Sequence, residues 1–241
     1  MRNEQNIYDK ISKEISENHY CLTQLSEIDH KLAELLPEHY TQFSDSWNNL
    51  DMDLHMADNG KYRYRRYSVV NWRIDSGLEY LPPEPHFQKK TYNTLNGDVY
   101  RHYSPFEDST LRGPFLKEII SCSTTIFNQL KDKQQDWRIE CHQFRIVPSL
   151  NESGLPTPEG KHRDGVEYVF MMIVNRYNVE GGVTRIYDNL DQLLSTYTMK
   201  NSCECIFIDD GKTMHEVSPI YPSLIEDKSY RDILVLTFQK F

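Results

Sequence analysis

Isoleucines recur every four residues near the start of the chain, at Ile7, Ile11 and Ile15, among Lys and Glu. That spacing lays one apolar stripe along an amphipathic helix. Leu25, Ile28, Leu32 and Leu35 predict a second helix, stopped at Pro37 because proline lacks the backbone donor and clashes with the preceding turn. A third is predicted over 109–131, with Pro114 near its first turn and Leu116, Ile119, Ile120 and Phe127 as its apolar face. All three stripes read as core packing.

From Trp137 the pattern shortens to apolar, β-branched runs at 137–147, 166–174, 184–187, 193–199, 204–208, 216–220 and 232–238, separated by Pro, Gly, Asn and Asp. Short strands at this spacing after a helical half predict a mainly β fold with helical support, an α+β arrangement with the N-terminal helices packed on one side. A double-stranded β-helix, the cupin-like jelly roll, fits. Residues 63–67 and the stretch around Tyr92 to Tyr103 are expected to add flanking strands and loops. A chain of 241 residues suits one domain, with 1–136 giving helices and flanking strands and 137–241 the jelly-roll core. There is no internal repeat.

Charge narrows the partners. With Lys+Arg 27 against Asp+Glu 36, the net charge of -9 argues against a sequence-independent grip on phosphate backbones. Tyr62, Tyr64 and Tyr67 interleave with Arg as if to stack on bases, but the acidic balance opposes that reading. Five cysteines, an odd number whose only close pair is Cys203-x-Cys205, predict a reduced, cytoplasmic setting. The N-terminus lacks an apolar leader and no run is long enough to span a membrane, so a soluble, unprocessed protein is expected. Oligomeric state leaves no trace in the pattern.

The candidate chemistry lies at His162, Asp164 and His215. Two histidines and a carboxylate, with an H-x-D pair and a distant third ligand, match the site that holds non-haem Fe(II) and leaves positions open for substrate and oxygen. Residues two apart on a strand point to one side, so His162 and Asp164 can face one interior while Arg163 points away. Gly154, Pro156, Pro158 and Gly160 predict a loop delivering the pair at the rim of the barrel. The competing reading is a solvated turn with His215 as a satisfied core histidine. Arg231 opens a buried strand, where a guanidinium wants a bidentate carboxylate partner. That partner is either a ligand or an internal acid such as Asp232 or Asp209.

The combination resembles a known family. His142-Gln143-Phe144-Arg145, His162-Arg163-Asp164, Gly181-Gly182, His215-Glu216-Val217-Ser218-Pro219 and the run from Tyr230 to Phe238 look like the 2-oxoglutarate/Fe(II)-dependent dioxygenases that include bacterial free L-amino-acid hydroxylases of the L-isoleucine dioxygenase type. Weaker echoes lie in Arg63 to Ser68 and from Tyr92 to Arg101. The resemblance implies Fe(II) on His162, Asp164 and His215 as the catalytic centre, 2-oxoglutarate anchored by Arg231, and O2 as oxidant. It implies hydroxylation of an unactivated C–H bond of a small substrate, most naturally a free L-amino acid, with 2-oxoglutarate leaving as succinate and carbon dioxide. Asp164 favours hydroxylation over halogenation, since related halogenases lack that carboxylate. The alternatives are the same chemistry on an amino-acid derivative or other metabolite, and a non-catalytic cupin-like metal- or metabolite-binding stress protein.

An amino-acid substrate needs a fixed cation for its carboxylate, and Arg63, Arg65 and Arg145 are candidates. On a strand over 137–147, Gln143 and Arg145 share one face and His142 and Phe144 the other. A polar lumen favours Gln143 and Arg145 as the inward pair. A surface cluster making exposed ion pairs, worth about 0–1 kcal/mol, is at least as good an explanation for Arg63, Arg65 and Arg66 individually. His86 and His102 lack partners at ligand spacing and read as structural.

Overall fold

Helix α1 (Arg2–Asn18) carries the isoleucine stripe and buries Ile11 and Ile15. The computed structural model describes residues 2–225 and 228–241. The second predicted helix is two: α2 (Leu25–Ile28) and α3 (His30–Asp45). Asp29 separates them in an extended conformation and caps α3, its carboxylate accepting the Lys31 N–H at 2.7 Å. Pro37 does not end this helix; it lies inside α3. The lost bond costs about 3 kcal/mol, which is offset by burial of Leu32 and by Phe43 and Tyr40, whose rings meet Phe115 at 4.9 and 5.6 Å. The third predicted helix is likewise divided, into α4 (Asp108–Leu111) and α5 (Pro114–Gln129). Gly113 is extended at the break and Pro114 occupies the first turn, where its missing N–H has no intrahelical role.

Among the described residues the strands are, in chain order, β1 (Tyr20–Gln24), β2 (Asp51–Met52), β3 (Arg63–Arg73), β4 (Gly77–Tyr80), β5 (Trp137–Ile146), β6 (Tyr168–Tyr177), β7 (Val179–Gly181), β8 (Thr184–Asp188), β9 (Leu193–Tyr197), β10 (Glu204–Asp209), β11 (Thr213–Val217), β12 (Ile220–Pro222) and β13 (Tyr230–Lys240). The major sheet runs β1-β10-β6-β13-β5-β3-β2, with β4 on β3; its neighbours are antiparallel. Facing it are β11-β8-β9 and the pair β12-β7. This is the jelly roll.

The run at 216–220 splits into β11 and β12 around Ser218-Pro219. Pattern alone left β1, β2, β4 and β7 unseen, because each is short and draws its pairing from a distant partner, as β1 does from β10.

The period of two divides the major sheet into two chemistries. Leu234, Leu236 and Phe238 of β13, with Ile139 and Cys141 of β5, join the core under the helices. Ile233 joins Val169, Met171, Ile173, Ile186 and Ile208 in a second core toward the minor sheet. Beside that second core the two sheets enclose a cavity of about 500 Å³.

Candidate active site

His162 lies outside the named strands, yet its N–H and C=O exchange hydrogen bonds with His215 of β11 at 3.0 and 2.9 Å. This isolated bridge brings the two rings to 4.5 Å, although the residues are remote in sequence. His162 Nε2 stands 3.8 Å from Asp164 Oδ1, and His215 Nε2 stands 3.8 Å from Asp164 Oδ2. One donor atom from each residue falls within 4.8 Å of the others. His162 Nδ1 meets the Gly160 carbonyl at 2.9 Å. A carbonyl only accepts, so Nδ1 carries the proton and Nε2 presents its lone pair to the cavity, the arrangement common to metal-binding histidines.

The loop is pinned from beneath by a residue that motif reading passed over. Asp210 is buried, and its carboxylate accepts the N–H groups of Asp164 at 3.0 Å, Gly165 at 2.8 Å and Val166 at 3.1 Å. Burial, and then the Asp164 carboxylate nearby, push the Asp210 carboxyl up to about 7 against those three donors. Gly165 turns the chain at φ +83° while a Cβ there would stand 2.4 Å from the Tyr92 ring, so glycine meets both a left-handed conformation and a close approach. Burial raises the Asp164 carboxyl, while His162 draws it down. Burial, then His162, holds His215 well below the ordinary histidine range.

Arg231, the second residue of β13, lines the cavity, with its Nε buried and without a hydrogen-bond partner among the described residues. Asp232 does not satisfy it, being engaged in a bidentate pair with Arg145 at 2.7 Å through each oxygen. Burial, then the neighbouring cation Arg176, lower the Arg231 guanidinium to about 10, with Asp232 acting in the opposite sense. Arg176 has an Nη1 buried without a partner among the described residues, while its Nη2 donates to the Val179 and Gly181 carbonyls at 3.1 and 2.8 Å. A desolvated guanidinium facing a cavity suits an anion, and the planar donors of Arg231 suit a carboxylate.

The face of β5 that lines the cavity carries Glu140, His142, Phe144 and Ile146. The expectation for Gln143 and Arg145 is therefore corrected. Gln143 turns to the helical layer and donates to Ser46 Oγ at 2.7 Å, while Arg145 pairs with Asp232. Ile139 and Cys141 must face the helices to be buried, and the period of two carries Gln143 and Arg145 to the same side. Arg63 and Arg65 of β3 do line the cavity. Arg63 is engaged by buried Asp53 through Nε at 2.8 Å and Nη2 at 2.7 Å. Arg65 is stacked against Tyr103 and Phe144, and its Nε is without a partner among the described residues. His86 also reaches the cavity, whereas His102 does not line it. No sequence spacing flagged His86, because its neighbours come from β3 and β5.

The family model described as 2OG-Fe dioxygenase matches residues 44–237. The chain belongs to this family. The 2OG-Fe dioxygenases use Fe(II), 2-oxoglutarate and O2 and act on small molecules, so the chain is an oxidoreductase. Among curated proteins, this dioxygenase is 27% identical over 202 residues to the L-isoleucine-4-hydroxylase of Bacillus thuringiensis, covering 82% of each chain. It is 22% identical to the 3(1)-hydroxy-L-isoleucine 4-dioxygenase of Pantoea ananatis, covering 83% of this chain and 80% of that one. Among solved structures it superposes on a bsmA homologue from Methylobium petroleophilum with a TM-score of 0.87 and 29% identity, over 97% and 93% of the two chains. No helix among the described residues is long and apolar enough to cross a membrane.

Proposed function

We propose that this dioxygenase hydroxylates a free, aliphatic L-amino acid, with Fe(II) held by His162, Asp164 and His215 and the distal carboxylate of 2-oxoglutarate held by Arg231. The observation that carries the reading is the charge layout of the cavity. A two-histidine, one-carboxylate trio opens on the same cavity as a desolvated Arg231 on β13, Glu140 on β5 and Arg65 on β3, three adjacent strands of the major sheet. The donor set fits Fe(II), and the unpartnered guanidinium fits an oxo acid. Arg65 and Glu140 offer a cation and an acid, the two features that a zwitterion requires. The names of the curated relatives, both acting on isoleucine or its hydroxylated form, point the same way.

Bound Fe(II) and 2-oxoglutarate supply oxygen activation and C–H hydroxylation, the co-substrate leaving as succinate and carbon dioxide. The protein contributes placement. Asp210 holds the Asp164 loop, the Gly160 carbonyl sets the tautomer of His162, and Arg65 offers its free Nε toward a substrate carboxylate. Phe144, Met171, Ile233 and Val235 give the cavity apolar wall against which an aliphatic side chain excludes water. All five cysteines are free and buried, in keeping with a reducing cytoplasmic setting.

The test is incubation with Fe(II), 2-oxoglutarate and O2 across a panel of L-amino acids, following succinate and product mass together. Succinate formed in step with an amino acid that has gained one oxygen supports the reading. Co-substrate consumed with every amino acid unchanged overturns the substrate class and leaves the chemistry intact.

A further inference from the structure

The cavity contains a second cluster of two histidines and a carboxylate, His86, Glu140 and His142, with ligand-type atoms as close as those of the first. The geometry points to this cluster as the recognition site for the substrate ammonium group, not as a second metal site. The inference rests on the amino-acid reading above and deepens it.

Each imidazole meets a guanidinium on its far side. Arg65 Nη2 lies 2.7 Å from His142 Nδ1, and Arg101 Nη2 lies 2.8 Å from His86 Nδ1. A guanidinium has five donors and no acceptor, so both Nδ1 atoms must accept. Each neutral ring therefore carries its proton on Nε2, the atom that faces Glu140. Metal ligation through Nε2 requires a lone pair there, as His162 presents, and these two rings have none to give. The tautomers separate the two clusters although their compositions match.

What remains is an acid framed by neutral donors. Glu140 Oε2 stands 3.6 Å from His86 Nε2 and 3.8 Å from His142 Nε2, beyond ordinary hydrogen-bond distance. Arg138 lies 3.8 Å from the other oxygen and is already paired with Glu84. The Tyr67 hydroxyl also faces Glu140; with its other neighbours at these distances, the cavity-facing carboxylate keeps acceptor capacity that favours a cation with several donors. A primary ammonium has three, and it fits between carboxylate and aromatic walls. Tyr67 lies against both histidines, with ring centroids 5.2 Å from His86 and 5.1 Å from His142, and Phe144 stacks on His142. His142 lies between Arg65, at 2.7 Å from its Nδ1, and Glu140, at 3.8 Å from its Nε2, so a carboxylate site adjoins the ammonium site, as the two ends of an α-amino acid demand.

The experiment uses the anaerobic complex with Fe(II) and 2-oxoglutarate and reads the shift of its visible charge-transfer band on titration with a branched aliphatic L-amino acid. The parallel ligand is the carboxylic acid of the same skeleton lacking the amino group. In Glu140→Gln the amino acid should bind more weakly by on the order of a hundredfold, the loss of a charge-assisted contact, while the desamino acid binds as before and the band itself is retained. Should Gln disturb the fold, as judged by loss of the band, Glu140→Asp is read the same way and should weaken the amino acid alone. Equal weakening of both ligands, or no change in either, overturns the proposal. Glu159 also lines the cavity, 3.6 Å from His162 Nε2, and a Glu159→Gln variant that loses amine discrimination while Glu140→Gln keeps it likewise overturns the proposal. Iron counting gives the independent arm: one ion per chain in wild type and none in His162→Ala agrees with the proposal, and an ion retained in His162→Ala but lost in His142→Ala overturns it. A wild type that responds to no amino acid removes the substrate reading itself, and this inference with it.

Discussion

Asp210 holds Asp164 by the backbone, accepting its N–H at 3.0 Å and those of the next two residues with the same carboxylate. The turn that presents the candidate ligand is therefore built on a buried acid rather than on a strand. Asp210→Asn replaces one acceptor oxygen by a donor that confronts N–H groups. Iron affinity is expected to fall roughly 10–100-fold, the usual cost of losing an outer partner of a ligand, while far-UV circular dichroism stays native. Anaerobic Fe(II) titration checks it, and unchanged affinity would refute the supporting role.

Arg231 is a buried cation without a hydrogen-bond partner at Nε among the described residues. Arg231→Met should leave the metal-free protein as stable as wild type or more so, since an uncompensated buried charge is removed. The stabilisation that 2-oxoglutarate confers on the iron-loaded protein should vanish. Thermal melts with and without 2-oxoglutarate separate the two effects; a variant melting well below wild type in the absence of ligand would contradict this account.

Asp53 has no exposed side-chain surface and takes Arg63 by Nε and Nη2, with Arg65 Nη1 at 3.9 Å. Burial alone would raise its carboxyl, but Arg63, then Arg65 and the His55 N–H, hold it below the ordinary value. A depressed carboxyl contributes stability that is present above the unfolded value near pH 3.9 and is lost as pH falls toward the folded one. Asp53→Asn strands Arg63 and should cost about 3–5 kcal/mol at neutral pH. Part of the acid sensitivity of wild type should go with it. Urea unfolding at pH 7 and at pH 4 measures both.

His86 and His142 are held well below the ordinary histidine range by burial first and by Arg65 next, with Arg101 and Arg63 adding to it. Glu140 stands at 3.6 and 3.8 Å on the opposing side. Below about pH 6.5 the unfolded chain binds protons that these folded rings refuse, so stability falls with pH by up to about 1.4 kcal/mol per unit for each ring. His142→Asn should flatten that slope between pH 6.5 and 5. A slope identical to wild type in urea titrations would show that the ring charges in the folded state.

The sequence alone carried the apolar runs that make β5, β6, β10 and β13, the helical stripes around Ile11 and Ile119, and the spacing that singled out His162, Asp164, His215 and Arg231. These signals are local: a period of two or 3.6 is written within one element, and an H-x-D pair within three residues. The tertiary structure decided what local periodicity leaves open. A strand has two faces, and whether Glu140 and His142 or Gln143 and Arg145 enter the cavity depends on which face the helical layer covers. Ile139 and Cys141 settle that by packing there. Pro37 sits inside α3 because Phe43 and Tyr40 find Phe115 beyond it. Asp210, Arg176 and His86 gained their places through contacts with distant segments. The tautomers that distinguish the two histidine clusters exist only once Arg65, Arg101 and the Gly160 carbonyl stand beside the rings. A proton is placed by the neighbour it meets in space, and that neighbour is supplied by the fold.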